Sequence, residues 1–436
     1  MIESPLLANL GGYIGGEWVG ATSGATFAVI NPATGEQLAA VPEMGVTETT
    51  AAVEAASRAL DDRTSAEQRR DWLNAIRDNL LEHKKELARI ITLEHGKPLK
   101  ESVGEVEYSA GFFDFFARQL GHLEPETLPE RIRGCRWVLH RRPAGVAGLI
   151  VPWNFPLAMM AKKIAPAIGA GCSVVVKPAS LTPLTAIAFF AVAQRAGLTA
   201  GRLNLVMGKS GPIGDVLCRH PGVRVISFTG STEVGRLLIA KTAPHVKRLA
   251  LELGGNAPFI VFEDADIEAA ADGLVANKFR AAGQTCVCTN RVYADRRVID
   301  SFTQAVAERV RRLRVGDGLA PDTDVGPLID RAGFDKVAEH VRDALRRGAR
   351  RIVGGGPPRP EHDWGAFYPP TVLLGVTPEM LVCREETFGP VVAIGTFDDE
   401  RQVIELANST DYGLAAYVFT RDAERADRVV AQLRFG

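Results

Sequence analysis

The sequence predicts an α/β protein with more than one domain, and three observations lead to this prediction. The chain has 436 residues, which is more than a single hydrophobic core usually serves. From Gly145 onward, short β-rich runs alternate with helical segments, as in a parallel sheet with right-handed crossovers. A second alternating stretch begins near Ala257. We therefore expect two α/β domains.

The composition is that of an ordinary soluble globular protein, with 46% hydrophobic and 24% charged residues. The net charge of -1 gives no general attraction to nucleic acid or to acidic membranes. No stretch approaches about eighteen uninterrupted apolar residues, and the N-terminus lacks the pattern of a secretion signal. We expect a cytoplasmic protein that binds neither nucleic acid nor membrane.

Cysteine and histidine usage indicates neither a disulfide framework nor a metal site. The six cysteines show no paired CxxC spacing, and the eight histidines are scattered. A reducing compartment and no bound metal are the simplest expectations. Known phosphate-binding fingerprints are also absent, because no GxGxxG follows a strand. The one stretch with P-loop spacing carries Arg236 and Leu237 where lysine and a hydroxyl are needed.

The first predicted sheet contains five β-rich runs, at residues 146–151, 173–176, 203–207, 223–228 and 246–253. Ligands of such sheets bind beyond the carboxyl ends of the strands. Four segments that follow these runs are rich in groups able to hold a polar ligand, namely residues 152–156, 177–180, 208–211 and 229–232. Elsewhere, the loosely alternating stretch 124–142 predicts a protruding hairpin, and Asp264 is the predicted cap of the helix that leads to a cysteine-containing stretch.

That stretch, residues 279–290, reads Phe-Arg-Ala-Ala-Gly-Gln-Thr-Cys-Val-Cys-Thr-Asn and presents Cys286 just past a turn. Such a thiol is either a reactive nucleophile or an inert buried residue. A nucleophile needs a base or a positive field and a donor for the oxyanion. Glu252, before two glycines, and Asn154, between two prolines, are candidates. A solvated surface glutamate and an asparagine that bonds the local backbone are the alternatives.

Four spaced motifs resemble the NAD(P)-dependent aldehyde dehydrogenases. They are Pro-Trp-Asn-Phe-Pro at 152–156, Leu-Glu-Leu-Gly-Gly-Asn at 251–256, Gly-Gln-Thr-Cys at 283–286 and Glu-Glu-Thr-Phe-Gly-Pro at 385–390. Their order and spacing match the family from about Gly12 to the last residue. Within the family, the segments around Gly-Gln-Thr-Cys-Val-Cys are most similar to the succinate-semialdehyde dehydrogenases, also called glutarate-semialdehyde dehydrogenases.

The resemblance implies an aldehyde dehydrogenase-like fold with three parts. These are a Rossmann-type cofactor domain at 1–122 and 143–252, an α/β catalytic domain at 253–436 and a small oligomerisation hairpin at 123–142. Relatives continue beyond the position of Gly436 with a strand that completes a neighbouring subunit's sheet, so we expect an incomplete C-terminus. A homodimer or homotetramer is implied when that strand is present.

The resemblance also implies catalytic roles. Cys286 would add to the aldehyde carbon, and the side chain of Asn154 with the backbone N–H of Cys286 would hold the oxyanion. Loss of hydride would give a thioester, which water activated by Glu252 would hydrolyse. Lys163 matches a buried family lysine that either relays a proton or pairs with a carboxylate. The implied reaction is oxidation of succinate semialdehyde or glutarate semialdehyde to the dicarboxylic acid.

Seven residues fall on positions where the family contacts its cofactor: Trp153, Lys177, Ser180, Gly230, Ser231, Glu386 and Phe388. Members that prefer NAD often carry glutamate at the position of Ser180, where a carboxylate repels a 2′-phosphate. Since Lys177 is cationic and Ser180 is small, we expect NADP to be preferred and NAD to be accepted.

For the substrate, the resemblance points to Arg280 as the group that grips the distal carboxylate. A second family arginine is replaced by Lys162, which keeps the charge and loses the bidentate fork. Cys288, two residues from the nucleophile, is either a redox switch that closes a disulfide with Cys286 or a buried packing thiol.

Other functions remain as alternatives. These are oxidation of a different aliphatic aldehyde, or an inactive truncated member of the family. Transfer of the acyl group to coenzyme A is disfavoured by the water-activating Glu252. A purely structural role is disfavoured because both Cys286 and Glu252 are present.

Overall fold

The computed structural model describes residues 2–355 and 366–436 and divides into two compact units. The first unit contains the residues up to Ile30, Gln37–His95 and Ser102–Glu252. The second contains Asn31–Glu36, Gly96–Glu101 and the described part of Leu253–Gly436. Each unit has its own hydrophobic core of buried aliphatic and aromatic side chains.

The strands of the described residues are, in chain order, β1 (Gly12–Ile14), β2 (Glu17–Val19), β3 (Thr26–Ile30), β4 (Gln37–Pro42), β5 (Glu126–Leu128), β6 (Trp137–Leu139), β7 (Val146–Ile150), β8 (Ser173–Lys177), β9 (Leu203–Leu205), β10 (Val223–Thr229), β11 (Arg248–Glu252), β12 (Ala257–Val261), β13 (Thr289–Asp295), β14 (Arg350–Val353), β15 (Thr371–Leu374), β16 (Val391–Phe397) and β17 (Tyr417–Phe419).

The helices are α1 (Val46–Ala59), α2 (Ala66–Glu82), α3 (Lys84–His95), α4 (Leu99–Gln119), α5 (Pro156–Gly169), α6 (Pro183–Gln194), α7 (Ser210–Arg219), α8 (Thr232–Thr242), α9 (Ile267–Phe279), α10 (Ile299–Arg312), α11 (Arg331–Arg346), α12 (Leu381–Arg384), α13 (Glu400–Asn408) and α14 (Ala423–Val430). Within the parts of the chain that the structure describes, no helix has the length and apolarity needed to cross a membrane.

The main sheet of the first unit has the strand order β11-β10-β7-β8-β9-β1-β2. The five strands from β11 to β9 in this order are parallel, and β1 pairs antiparallel with both β9 and β2. The chain builds outward from β7 to β9 and then returns to place β10 on the other side of β7. This reversal creates a switch point, which is where open α/β sheets bind ligands. The five predicted β-rich runs are confirmed as β7 to β11.

The second unit contains a sheet with the order β14-β15-β16-β13-β12-β17, in which only β14 runs antiparallel to its neighbour among the described strands. Every residue of the central strands β12 and β13 is buried. Covered parallel strands carry near-continuous apolar runs for this reason. The predicted α/β class is therefore seen in both units.

Two buried carboxylates accept hydrogen bonds from the first turns of the helices that follow β7 and β8. Glu105 Oε1 accepts hydrogen bonds from the N–H groups of Leu157 (2.9 Å) and Ala158 (3.1 Å) at the start of α5. Glu94 does the same for Leu184 and Thr185 at the start of α6, at 2.8 Å each. Burial raises the pKa of Glu94 to about 8. Both helices begin with proline, so these distant carboxylates satisfy N–H groups that no local side chain caps.

The predicted helix cap at Asp264 is wrong by two residues. Asp266 caps α9, with its side chain accepting from the N–H of Ala269 at 3.1 Å. Asp264 instead accepts from the hydroxyl of Thr420 and the N–H of Arg421, at 2.9 Å each. A long-range partner therefore decided which of two nearby aspartates became the cap.

The predicted hairpin is present as the antiparallel pair β5 and β6. Trp137, Val138 and Leu139 on β6 are each about two-fifths exposed, an unusual amount for three consecutive large apolar residues. The oligomeric state implied by the family stays a prediction.

Val246 carries avoidable backbone strain, and its replacement is our first prediction. This residue has a φ of 48° and is 89% exposed, so a β-branched side chain occupies the left-handed region without any packing to offset it. Val246→Gly should stabilise the protein by about 1 kcal/mol, measured as a higher urea midpoint at unchanged slope. Val246→Ala removes the exposed side chain and keeps a Cβ, so it should give clearly less. Equal gains from the two variants would contradict the backbone explanation.

Candidate active site

A cavity of about 540 Å³ lies in the first unit at the carboxyl ends of β7, β8 and β10. Four segments predicted from the sequence meet there. Its lining includes all five of the predicted cofactor residues that belong to this unit, namely Trp153, Lys177, Ser180, Gly230 and Ser231. The cavity therefore occupies the switch point of the sheet.

Lys177 is the most buried charged group in this cavity wall. It is the last residue of β8 and is only 3% exposed. Its ammonium donates to the hydroxyl of Ser210 at 2.8 Å, and burial lowers its pKa to about 8. Nearby, the hydroxyl of Ser180 donates to the carbonyl of Gly208 at 3.0 Å. One cation and two hydroxyls thus line this side of the cavity, a donor set suited to phosphate or ribose oxygens.

The start of α8 forms another part of the cavity lining. Gly230 follows the end of β10, and Ser231 caps the helix by accepting from the N–H of Val234 at 3.3 Å. The N–H of Gly230 donates to the carbonyl of Glu252 at 3.0 Å, which ties this turn to the end of β11. A helix N-terminus that opens into a cavity favours an anion.

Asn154 lies in the turn between β7 and α5 and is 5% exposed. Its Oδ1 accepts from the N–H of Phe155 at 3.1 Å, which fixes the orientation of the amide. The bond to local backbone that was the alternative expectation for Asn154 is therefore present. Because that bond uses the oxygen, it is compatible with a donor role for the side-chain nitrogen.

Two neighbouring lysines on α5 have different surroundings. Lys162 is partly exposed, and its Nζ lies 3.1 Å from Oε1 of Glu252 at the end of β11. Lys163 is buried, and its ammonium donates to the hydroxyl of Ser227 at 3.0 Å. Burial lowers the pKa of Lys163 to about 8, although the negative charge of Glu252 acts to raise it. Glu252 is therefore paired with Lys162, a contact that the sequence did not indicate.

In the second unit, the predicted nucleophile follows a strained turn. Helix α9 ends at Phe279, and Ala281 and Ala282 then adopt φ values of 50° and 55°. Alanine rarely occupies this left-handed region. The turn is held by the N–H of Ala281, which donates to Glu101 Oε2 at 2.7 Å, and by Gln284, which donates to the carbonyl of Ala281 at 3.0 Å. Cys286 is partly exposed beyond it, and Arg280 is exposed at its beginning.

Cys288 is buried, unlike Cys286. Its thiol donates to the carbonyl of Gly283 at 3.3 Å, and the fully buried ammonium of Lys278 lies 3.7 Å from its sulfur. All six cysteines are present as thiols. The redox role predicted for Cys288 stays a prediction.

Gly254 and Gly255 connect the cysteine loop with the loop that carries Glu386. A Cβ added to Gly255 would lie 2.3 Å from the carbonyl oxygen of Cys286, and one added to Gly254 would lie 2.8 Å from Oε2 of Glu386. The N–H of Gly255 donates to Oε1 of Glu386 at 3.1 Å. Burial raises the pKa of Glu386. Two residues without side chains thus allow the thiol loop and this carboxylate to approach the same stretch of backbone.

The Glu386 loop is held by residues to which the sequence analysis assigned no role. Asn290 donates to Asn256 Oδ1 (2.7 Å) and to the carbonyl of Glu385 (2.9 Å), and it accepts from the N–H of Thr387 (3.1 Å). On α11, Lys336 donates to the carbonyl of Glu386 at 2.7 Å. The ring of His340 lies 3.2 Å from the hydroxyl of Thr387.

Phe388 follows in the same loop with a φ of 56°.

The sequence offered one signal for the network that holds this loop. Asn256 directly follows the Gly254–Gly255 pair, and Asn290 closely follows the two cysteines.

The parallel sheet of the first unit, with a cavity at its switch point, has the architecture of ligand-binding α/β folds. The second unit presents a partly exposed thiol after a strained turn. Comparison with known families matches residues 18–436 to the aldehyde dehydrogenase family. The chain belongs to this family.

Several relatives share nearly the whole chain. The 3-sulfolactaldehyde dehydrogenase of Pseudomonas putida is 46% identical over 437 residues, covering 100% of this chain and 89% of that protein. The NADP(+) succinate-semialdehyde dehydrogenase GabD of Escherichia coli K12 is also 46% identical, covering 97% of this chain and 88% of that protein.

Among solved structures, succinate-semialdehyde dehydrogenase from Burkholderia pseudomallei superposes with a TM-score of 0.97 at 47% identity, covering 100% and 90% of the two chains. The predicted family and fold are confirmed.

The asparagine network gives the second prediction. Asn290 is 4% exposed, and Asn290→Asp keeps the acceptor for Thr387 while it removes both N–H donors and adds a buried charge. We expect a loss of about 3 kcal/mol in the free energy of unfolding, measured by urea denaturation. The exposed Asn9→Asp is the matched control and should change stability by less than about 0.5 kcal/mol. A neutral Asn290→Asp would show that the network does not hold this loop.

Proposed function

We propose that this chain oxidises succinate semialdehyde or glutarate semialdehyde to the dicarboxylic acid, with NADP or NAD as the hydride acceptor. The observation that carries the proposal is the Gly254–Gly255 junction, where the backbone of Cys286 and the carboxylate of Glu386 meet. A partly exposed thiol, on a loop packed against the same glycines that anchor a carboxylate, suits attack on a carbonyl beside a ribose-bearing cofactor. The similarity to succinate-semialdehyde dehydrogenases supports the substrate class.

In the proposed reaction, the Cys286 thiolate adds to the aldehyde carbon and forms a thiohemiacetal alkoxide. The side-chain amide of Asn154 and the backbone N–H of Cys286 stabilise this oxyanion. When bound, the nicotinamide supplies the hydride acceptor. Loss of hydride from the carbon leaves a thioester on Cys286, and water activated by Glu252 hydrolyses it to the acid. Lys163, with a pKa of about 8, is able to relay a proton near neutral pH.

The cavity residues fit the proposed cofactor. The start of α8 at Gly230 and Ser231 suits the pyrophosphate, and Trp153 contributes an apolar wall. Lys177 and Ser180 suit the adenosine ribose and a 2′-phosphate, which favours NADP. Glu386 would hold the nicotinamide ribose, with Phe388 packed against the ring.

The function is tested by Glu252→Gln, our third prediction. This variant should form NADPH in a rapid burst of about one equivalent per active site, because acylation of Cys286 does not need the base. Steady-state turnover should then fall about 1,000-fold, since hydrolysis does need it. Stopped-flow absorbance of NADPH measures both phases. The exposed Glu54→Gln should behave as wild type. If Glu252→Gln turned over at the wild-type rate, Glu252 would not be the water-activating base.

Lys177 gives the fourth prediction, which concerns pH. Its lowered pKa of about 8 means that the ammonium is present below pH 8 and is lost above it. The dissociation constant for NADP should therefore rise by up to about tenfold per pH unit above pH 8. In Lys177→Arg the cation persists, so the same profile should be flat between pH 7 and 9. Titration calorimetry supplies the constants. A flat wild-type profile would exclude a phosphate contact by Lys177.

A second candidate substrate is a sulfonated aldehyde. The similarity to a 3-sulfolactaldehyde dehydrogenase equals that to the succinate-semialdehyde enzyme, at 46% identity. Both substrates carry an anionic group, which Arg280 and Lys162 suit. The ratio of kcat/KM for the two aldehydes decides between them.

Arg280 supplies the fifth prediction. Arg280→Glu should raise KM for succinate semialdehyde at least about 30-fold, because a cation that faces a carboxylate becomes an anion. KM for propionaldehyde, which has no charge, should change less than about threefold. Arg311→Glu on the exposed face of α10 makes the same charge change elsewhere and should alter neither value. Equal effects of Arg280→Glu on both aldehydes would remove Arg280 from the carboxylate site.

A further inference from the structure

Lys162 forms an ion pair with the residue that is proposed to activate water. Its Nζ lies 3.1 Å from Oε1 of Glu252, and the two side chains are 41% and 39% exposed. Both residues belong to the first unit, Lys162 on α5 and Glu252 at the end of β11. The adjacent Lys163 bonds Ser227 instead, so the ammonium that occupies Glu252 is that of Lys162.

The pair creates a competition between two anions for one cation. A lysine ammonium carries a single positive charge, so a second carboxylate that approaches it weakens its attraction to the first. A partly exposed ion pair is also weak, and it favours the paired over the unpaired arrangement by about fivefold at most. An anionic substrate group can therefore displace Glu252 from Lys162.

We propose that Lys162 is a positioning residue for Glu252 that the anionic group of the substrate takes over. Before the substrate binds, the ammonium occupies Oε1 of Glu252. When a carboxylate or sulfonate takes the ammonium, Oε1 becomes available to accept a hydrogen bond from the hydrolytic water, as a general base must. Hydrolysis of the thioester is thereby coupled to the presence of the correct substrate. This inference rests on the proposed function, in which Glu252 activates water.

Hydrolysis of p-nitrophenyl acetate isolates the relevant step, because it needs no nicotinamide. The Cys286 thiolate displaces p-nitrophenolate, which leaves with the electron pair of the broken ester bond, and an acetyl thioester forms. Water then hydrolyses the thioester to acetate and restores the thiol. The initial burst of p-nitrophenolate reports acylation, and the steady-state rate reports hydrolysis assisted by Glu252. The acetyl group is uncharged, so it does not itself engage Lys162.

Succinate is the probe for Lys162 in this assay, since it is anionic and contains no aldehyde. Succinate should raise the wild-type steady-state rate two- to fivefold without raising the burst amplitude. Lys162→Met should have the higher rate without succinate and should not respond to it, whereas Lys162→Arg should keep the response. Sodium chloride at equal ionic strength and 1,4-butanediol are the controls, and neither should reproduce the effect. Because Lys162 is partly exposed, Lys162→Gln serves as a second variant and should match Lys162→Met.

Four outcomes would overturn the inference. Succinate could leave the wild-type rate unchanged or lower it, or it could activate Lys162→Met as strongly as wild type. Sodium chloride could match succinate, which would indicate general screening. In each of these cases a normal burst that disappears in Cys286→Ala would leave the proposed function intact. If Cys286→Ala released p-nitrophenolate as fast as wild type, both the proposed function and this inference would be overturned.

Discussion

The close approach of backbone at Gly254 and Gly255 is the constraint on which the arrangement of the second unit depends. A methyl group at Gly255 would lie 2.3 Å from the carbonyl oxygen of Cys286, far inside van der Waals contact. Any larger residue would push the cysteine loop away or break the bond between the N–H of Gly255 and Glu386. The left-handed alanines before Cys286 and the buried pair Asn256 and Asn290 hold the same two loops in place.

Burial of charge provides the second organising feature. Lys163 and Lys177 both have a pKa lowered to about 8 by burial, and burial raises the pKa of Glu386. Such groups change charge easily when an anion or a proton acceptor arrives, and perturbed groups of this kind are typical of functional sites. By contrast, the Lys162–Glu252 pair is partly exposed and weak. The buried cations suit lasting contacts with a bound ligand, whereas the exposed pair suits replacement of one anionic partner of Lys162 by another.

Much of the first unit could be predicted from its sequence, because parallel strands place their carboxyl ends at one edge of a sheet. The segments that contain Trp153, Lys177 and Ser231 were expected to lie together on this basis, and one cavity includes all three. Long-range choices were not predictable. Asp266 caps α9 because Asp264 has partners more than 150 residues away in sequence, and Glu252 pairs with a lysine 90 residues earlier. Periodicity and spacing carry no information about such pairings.

The most direct test of the account is to locate the acyl group on the enzyme. Glu252→Gln is mixed with succinate semialdehyde and NADP, quenched in acid, digested with pepsin at low pH, where the thioester does not exchange with neighbouring thiols, and fragmented by tandem mass spectrometry. Cys286 and Cys288 are separated by Val287, so fragmentation distinguishes them. The account predicts a succinyl group on Cys286 that requires NADP. A succinyl group on Cys288, or NADPH formation without any acylated cysteine, would contradict it.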